Sequence, residues 1–505
     1  PRVTSTGPDG GIVPNDFYSH FGFNSNPFEN NTAEREPHIA SYAVRPPYLD
    51  RVLATSHAMG IFVLTGSRGS GKSATRLTVS QLLWKDCPTP LVVPLIGYNV
   101  FRPYAVAGAP LELYATQIAF LAIEQVLGWL SSLEDADSSQ RLDALSAPER
   151  ALIRKMIGTF YLNRPENARR VSAAECFATL DVSIQQKSRL WIDKKWDQLT
   201  GVVANLAAKF AERYFEVDLG DPAAYQELFK RQRAEGFGDP SYIFSKVVEF
   251  ARAFGFAGVL VQVDKVDETD WTANSTEAAA KLIYPLLANI QLHEIEGLTW
   301  AYFLWDKVRD ALSPERGFPV RWDKIPNGEI AWSDDYLRQL IGRRLRYFST
   351  ERHSSLQDIC EATVNAEAIV PGLFELAERS PRNLISLLDI TVSQHIQSNQ
   401  TDYRLLSAAS FDRGMDEYAR TSLSNSGQIA IATQIAKVKA TTFTTRDVAS
   451  RFGISPQAAR GRIENWQGSG LVEYLESKVG PDGGRPVDYF SIGDPRLQRF
   501  IERAL

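Results

Sequence analysis

The segment Gly66-Ser67-Arg68-Gly69-Ser70-Gly71-Lys72-Ser73 constrains this 505-residue chain more than any other. It follows a continuous apolar run, Ile61-Phe62-Val63-Leu64-Thr65, and precedes a stretch in which Leu77, Leu82 and Leu83 recur at helical spacing. An uninterrupted apolar run fits a strand buried on both faces of a parallel sheet. The glycines let backbone N–H groups turn toward an anion, and the following helix points its positive end at the same place. In the pattern G-x-x-x-x-G-K-[ST], the lysine, here Lys72, reaches the β- and γ-phosphates, and the hydroxyl of Ser73 sits on Mg²⁺. The expected ligand is a nucleoside triphosphate, ATP with Mg²⁺, held by residues Gly66 through Ala74.

Further apolar runs at 91–96, 258–263 and 298–304 read as strands of the same sheet. A β–loop–α–β succession indicates an α/β unit with right-handed crossovers. Between the second and third runs the pattern becomes helical, with helices expected at 111–130, 147–162, 196–215 and 241–254 and loops at Asp137-Ser138-Ser139 and 236–240. Two more helices are expected at 333–347 and 381–397. The fold class is a three-layer P-loop NTPase sandwich (α/β) with a large helical insertion, a helical lid and a C-terminal winged helix. The expected boundaries are a disordered tail at 1–15, a nucleotide core at 16–100 and 255–312, the insertion at 101–254, the lid at 313–400, a linker at 401–430 and the winged helix at 431–505.

The third run ends in Asp264-Lys265-Val266-Asp267-Glu268. A buried strand that ends in Asp aims a carboxylate at the metal, so Asp264 joins Ser73 as a candidate Mg²⁺ residue. Hydrolysis also needs a carboxylate to polarise the attacking water. Lys265 stands directly after Asp264, which leaves Asp267 and Glu268 as candidate bases. Asp306, just past the fourth run, is a candidate for sensing the γ-phosphate. In Ser380-Pro381-Arg382, Ser380 caps a helix that Pro381 opens. Arg382 then sits where a cation is mildly unfavourable without an external anion, and it is a candidate for the γ-phosphate. Arg343, Arg344 and Arg346 are candidates for an arginine finger acting in trans.

The final eighty residues read as helix–turn–helix (445–452, then 455–466 with Ser455 as cap) followed by a hairpin, 471–476 and 487–492, which is the layout of a winged helix. Residues 426–505 hold 3 Lys and 8 Arg against 4 Asp and 4 Glu, while the whole chain carries a net charge of -5. Contact with nucleic acid would therefore be local: Arg460, Arg462 and Arg485 would lie on the second helix and the wing, with Gln457 and Arg460 toward the major groove of double-stranded DNA and Arg485 on phosphate, while the same layout also serves protein docking or oligomerisation. The three cysteines, Cys87, Cys176 and Cys360, are far apart and form neither a zinc pattern nor a disulfide framework. A reducing, cytoplasmic setting is expected, and no run of apolar residues is long enough for a membrane span.

Together the phosphate loop, the D-x-x-D-E strand end and Ser380-Pro381-Arg382 resemble the additional-strand ATPases of the AAA+ and STAND-like group. The segment Phe21-Gly22-Phe23-Asn24-Ser25-Asn26-Pro27-Phe28 resembles the strap that precedes the phosphate loop in ATPases of the ExeA kind. The lid plus winged helix resembles origin-recognition ATPases. The resemblance implies ATP hydrolysis or ATP-gated switching, homo-oligomers, and nucleotide state coupled to DNA or a partner protein, in mobile-element movement or anti-phage defence. The alternative it leaves open is a STAND-like switch with slow turnover that controls a separate effector protein. Lys265 departs from the usual D-E pair.

Overall fold

The structure, a computed structural model, describes the chain except at residues 1–13, 37, 59, 84–88, 134, 181–198, 201–229, 231, 235, 274, 400–402 and 480–485. Most of the expected helix at 196–215 and part of the expected hairpin loop, including Arg485, lie outside the described residues, as does most of the expected tail. The chain divides into two compact units, Thr32–Ala331 and a second made of Pro1–Asn31 with Trp332–Leu505.

The first unit is built on a parallel sheet of five strands: β1 (Ile61–Gly66), β2 (Leu91–Leu95), β3 (Val259–Val263), β4 (Leu298–Trp305) and β5 (Asn327–Glu329). Their order is β2-β3-β4-β1-β5, so β4 lies between β1 and β3. This order, with a phosphate loop leaving β1, is that of a P-loop NTPase α/β fold. Alternate residues of the strands take opposite faces. Val63, Val93, Val261, Trp300 and Tyr302 enter one apolar core with the helices Leu111–Ser132, Pro240–Ala253 and Thr276–Leu287. Phe62, Leu64, Leu260 and Phe303 are equally buried, outside that cluster. On the Gln262 face, Ser80 of the helix Lys72–Leu83 donates to Gln262 Oε1 at 2.8 Å. The sheet is thus covered on both sides.

Four strands coincide with the apolar runs. The fifth escapes sequence reading, because Asn327-Gly328-Glu329 is polar and short, and pairs only with β1 as an edge. It places residues 313–331 with the nucleotide unit rather than with the lid. The described residues between β2 and β3 are largely helical. Asp137-Ser138-Ser139, expected as a loop, lies within the helix Asp135–Asp143, where buried Leu142 anchors the segment. The helix Leu111–Ser132 is long and apolar enough, by length and composition, to cross a bilayer, but 89% of its most apolar window is buried inside the unit. It packs against β2 and Pro240–Ala253 as a core helix.

In the second unit a helix begins at Pro14, inside the segment read as tail. Phe23 and Phe28 of the strap are buried there. Asn24 N–H donates to Phe348 O at 2.8 Å, and the Arg344 guanidinium donates to Pro27 O at 2.7 Å. The strap therefore belongs to the helical unit, not to the nucleotide core as first divided. Residues 401–430, read as a linker, contain the helix Ala408–Asn425. Phe411, Tyr418 and Leu423 lie buried along it, and Gly414 lets it approach Thr391 of the helix Pro381–Ser398 closely.

Near the C-terminus, the helices Thr445–Phe452 and Pro456–Gly468 are joined at Gly453, which takes a left-handed φ of 61°. Thr444 caps the first helix in a capping box with Asp447, and Ser455 caps the second. Then β7 (Val472–Lys478) and β8 (Val487–Ile492) form an antiparallel hairpin, with β6 (Thr442–Thr444) on the other side of β8. Val448, Ile463, Trp466 and Ile492 fill the small core between helices and sheet.

Candidate functional site

The loop between β1 and the helix Lys72–Leu83 is shaped by its glycines. Gly69 and Gly71 adopt φ of 81° and 98°, which side-chain-bearing residues rarely take. A Cβ on Gly66 would meet Ser70 Oγ at 2.6 Å and Ile330 Cβ at 3.1 Å, so a side chain there would displace both neighbours. Lys72 Nζ donates to Gly66 O at 2.9 Å and Ser67 O at 2.8 Å. Burial lowers the Lys72 pKa, opposed by the charges of Asp267, Asp264, Asp306 and Glu268. Ser73 and Ala74 follow on the first turn of the helix.

Asp264 is buried. Its Oδ2 accepts from Arg76 Nε at 2.9 Å, its Oδ1 from Lys265 N–H at 2.9 Å, and its carbonyl from Tyr98 O–H at 2.8 Å. Arg76 is also buried, with Glu34 Oε1 at 3.7 Å from its Nη2. Lys265 takes a left-handed φ of 62°, and its Nζ lies 2.6 Å from the same Glu34 oxygen. For Glu34, burial pushes the carboxyl pKa up, but the Lys265 hydrogen bond and charge, with Arg76, outweigh it and hold the pKa below its ordinary value. Glu34, Arg76, Asp264 and Lys265 thus form one charge cluster beneath the loop.

The two candidate bases differ. Asp267 is buried, and Arg68 of the loop donates to its Oδ2 at 3.1 Å and to its carbonyl at 3.3 Å. Glu268 is an exposed residue whose carboxyl pKa is raised by partial burial; Lys265 opposes this, while Asp264, Asp267 and Glu34 add to it. Arg68 also lies over the ring of Trp305, 4.3 Å from its centroid, and Asp306 follows at the start of the next helix.

Arg76, Glu34 and Trp305 were not singled out in the sequence. For Arg76 a signal existed: it sits four residues after Lys72, on a helix that contains no acidic residue. Nothing local marks Glu34 or Trp305.

The remaining candidates belong to the other unit. Ser380 accepts from Asn383 N–H as a cap, and Arg382 is exposed on the first turn behind it. Of the three clustered arginines, Arg344 is buried and bound to carbonyls of the strap, so it is a staple and not a finger; Arg343 is half-buried and Arg346 exposed. Gln457 and Arg460 are exposed on the second helix of the C-terminal pair. Arg462 is half-buried and lies over Phe452, 4.2 Å from the ring centroid, as a packing residue of that helix.

No family model and no curated protein matches the chain. Among solved structures, the chain is similar to the Aeropyrum pernix ORC1 protein in complex with DNA, at 11% identity and a TM-score of 0.35 over 94% of this chain and 98% of that one. It is similar to Cdc6p from Pyrobaculum aerophilum at 10% identity and a TM-score of 0.32, over 94% and 98%. The Aeropyrum pernix ORC2 protein, solved as ADPNP-ADP complexes, gives 11% and 0.37 over 92% and 96%. At such scores these likenesses carry no weight beside the strand order and the loop geometry.

Proposed function

We propose that the chain binds ATP with Mg²⁺ at the phosphate loop and hydrolyses it, with Glu268 as base. The observation that carries this reading is the loop after β1, where Gly69 and Gly71 take left-handed φ and Lys72 Nζ donates to Gly66 O and Ser67 O, with Arg68 of the same loop reaching Asp267 beyond β3 at 3.1 Å. Among the described residues no group of three His, Cys, Asp or Glu is arranged to hold a metal by itself. The Ser73 hydroxyl and the Asp264 carboxylate supply hard oxygens, which suits Mg²⁺ completed by phosphate oxygens and water. The metal would neutralise developing charge on the phosphates; Lys72 binds them, and Glu268 accepts a proton from water. Partial burial suits Glu268 to that task, since a raised pKa makes a better proton acceptor near neutrality. Asp267, buried where Glu268 is exposed, is the less accessible base.

Arg382 serves as the cation of the lid, and Arg343 or Arg346 acts in trans within a homo-oligomer. The C-terminal helix pair and hairpin act as a winged helix that seats double-stranded DNA through Gln457 and Arg460. The test is ATP hydrolysis by the purified protein with and without duplex DNA, alongside Lys72→Ala and Glu268→Gln. The proposal expects DNA-stimulated turnover that both variants abolish, Lys72→Ala through binding and Glu268→Gln with binding retained. Unchanged turnover in Glu268→Gln would remove Glu268 from the role.

A second reading, a slow switch that controls a separate effector protein, is favoured by one feature: the position after Asp264 holds Lys265, tied to Glu34 at 2.6 Å. Tightly retained nucleotide with negligible turnover under all conditions would select it.

A further inference from the structure

We propose that Arg68 is a residue by which the phosphate loop itself distinguishes a nucleoside triphosphate from a diphosphate, exchanging Asp267 for the terminal phosphate. The inference rests on nucleotide binding at this loop and adds a selectivity determinant to it. Arg68 connects three strand ends. It leaves the loop after β1, its Nε donates to Asp267 beyond β3 at 3.1 Å, and its guanidinium lies on Trp305, the last residue of β4.

The two contacts differ in kind. Stacking uses the face of the guanidinium and leaves its in-plane N–H groups available for an anion. Trp305 can therefore hold the group in place while its hydrogen-bonding edge changes partner. The Arg68 side chain is 43% exposed and its carboxylate partner 6%, so the arginine is the accessible member of the pair. Arg68 stands close to Lys72 along the loop, since Lys72 Nζ donates to the carbonyl of Ser67, the residue before Arg68, at 2.8 Å. A terminal phosphate offers an arginine more charge and more acceptor oxygens than one carboxylate does. A diphosphate held in the same cradle lacks that group and leaves Arg68 on Asp267.

The experiment measures equilibrium binding, by calorimetry with Mg²⁺, of ADP and of a slowly hydrolysed ATP analogue to the full chain and to Arg68→Ala, Arg68→Lys and Asp267→Asn. Trp305→Phe assigns the accompanying tryptophan emission change. The wild type should prefer the triphosphate. Arg68→Ala should reduce that preference about tenfold or more, the order expected for a lost charge-assisted contact, with ADP affinity nearly unchanged. Arg68→Lys should keep part of the preference, and Asp267→Asn, by removing the competitor, should increase it. Emission should change with the triphosphate only, and the change should vanish in Trp305→Phe and Arg68→Ala. An unchanged preference in Arg68→Ala, or equal weakening of both nucleotides, overturns the proposal while leaving nucleotide binding intact. A wild-type protein that binds neither nucleotide overturns both readings.

Discussion

Replacing Arg76 with Met should destabilise the nucleotide unit far more than an average substitution. Arg76 and Asp264 are 1% and 2% exposed, and the guanidinium Nε lies 2.9 Å from Oδ2. Methionine matches the aliphatic stem but leaves the Asp264 carboxylate buried, with the backbone N–H of Lys265 as its remaining donor to a side-chain oxygen. Removing one partner of a buried pair costs about 3–5 kcal/mol, most of it the uncompensated charge left behind. For a domain of this size that lowers Tm by about 6–10 °C. Asp264→Asn should cost less, because Glu34 still faces Arg76 at 3.7 Å. The double variant Arg76→Met/Asp264→Asn leaves neither charge of the pair and should recover most of the loss, a coupling well outside the range of independent sites. The assay is chemical denaturation of the three variants beside the wild type, read by circular dichroism. A cost below about 1 kcal/mol for Arg76→Met, or a double variant that loses the sum of the two singles, would refute the view that this pair is a desolvated, mutually dependent charge pair.

Glu268→Gln should stabilise the protein at neutral pH. The folded-state pKa of Glu268 is raised, so its contribution to stability is full below its ordinary pKa and is lost as pH rises through the folded value. Tm measured against pH should show the gain of the variant at pH 7 and its disappearance in acid; a gain independent of pH would contradict it. Gly414→Ala puts a Cβ 2.5 Å from Thr391 Cα, so urea denaturation should show a loss of about 1–3 kcal/mol from overpacking at that helix crossing. Arg344→Ala removes the donor to Pro27 O and should cost about 1.5–3 kcal/mol. It should also expose residues 21–28 to limited proteolysis, whereas exposed Arg346→Ala should do neither.

Local sequence determined the elements whose causes are local. The phosphate loop, the four long strands, the caps at Ser380 and Ser455 and the paired C-terminal helices were all legible, because glycine conformations, apolar runs and capping side chains act within a few residues. Signals of that range were too weak for β5, whose Asn-Gly-Glu is a strand only because β1 offers an edge. They were also too weak for the helix at Ala408–Asn425, fixed by packing against Pro381–Ser398, and for Arg344, whose partners lie in the strap. The candidate site divides the same way. Lys72, Ser73, Asp264, Asp267 and Glu268 could be picked out by motif, but the choice of Glu268 over Asp267 rests on burial, since the fold buries Asp267 and leaves Glu268 exposed. The charge balance around Asp264 likewise rests on Arg76, 188 residues away. The chain sequence dictated which residues carry charge near the loop. Only the tertiary structure decided which charges neutralise one another, because partial burial strengthens electrostatics between groups that the fold alone brings together.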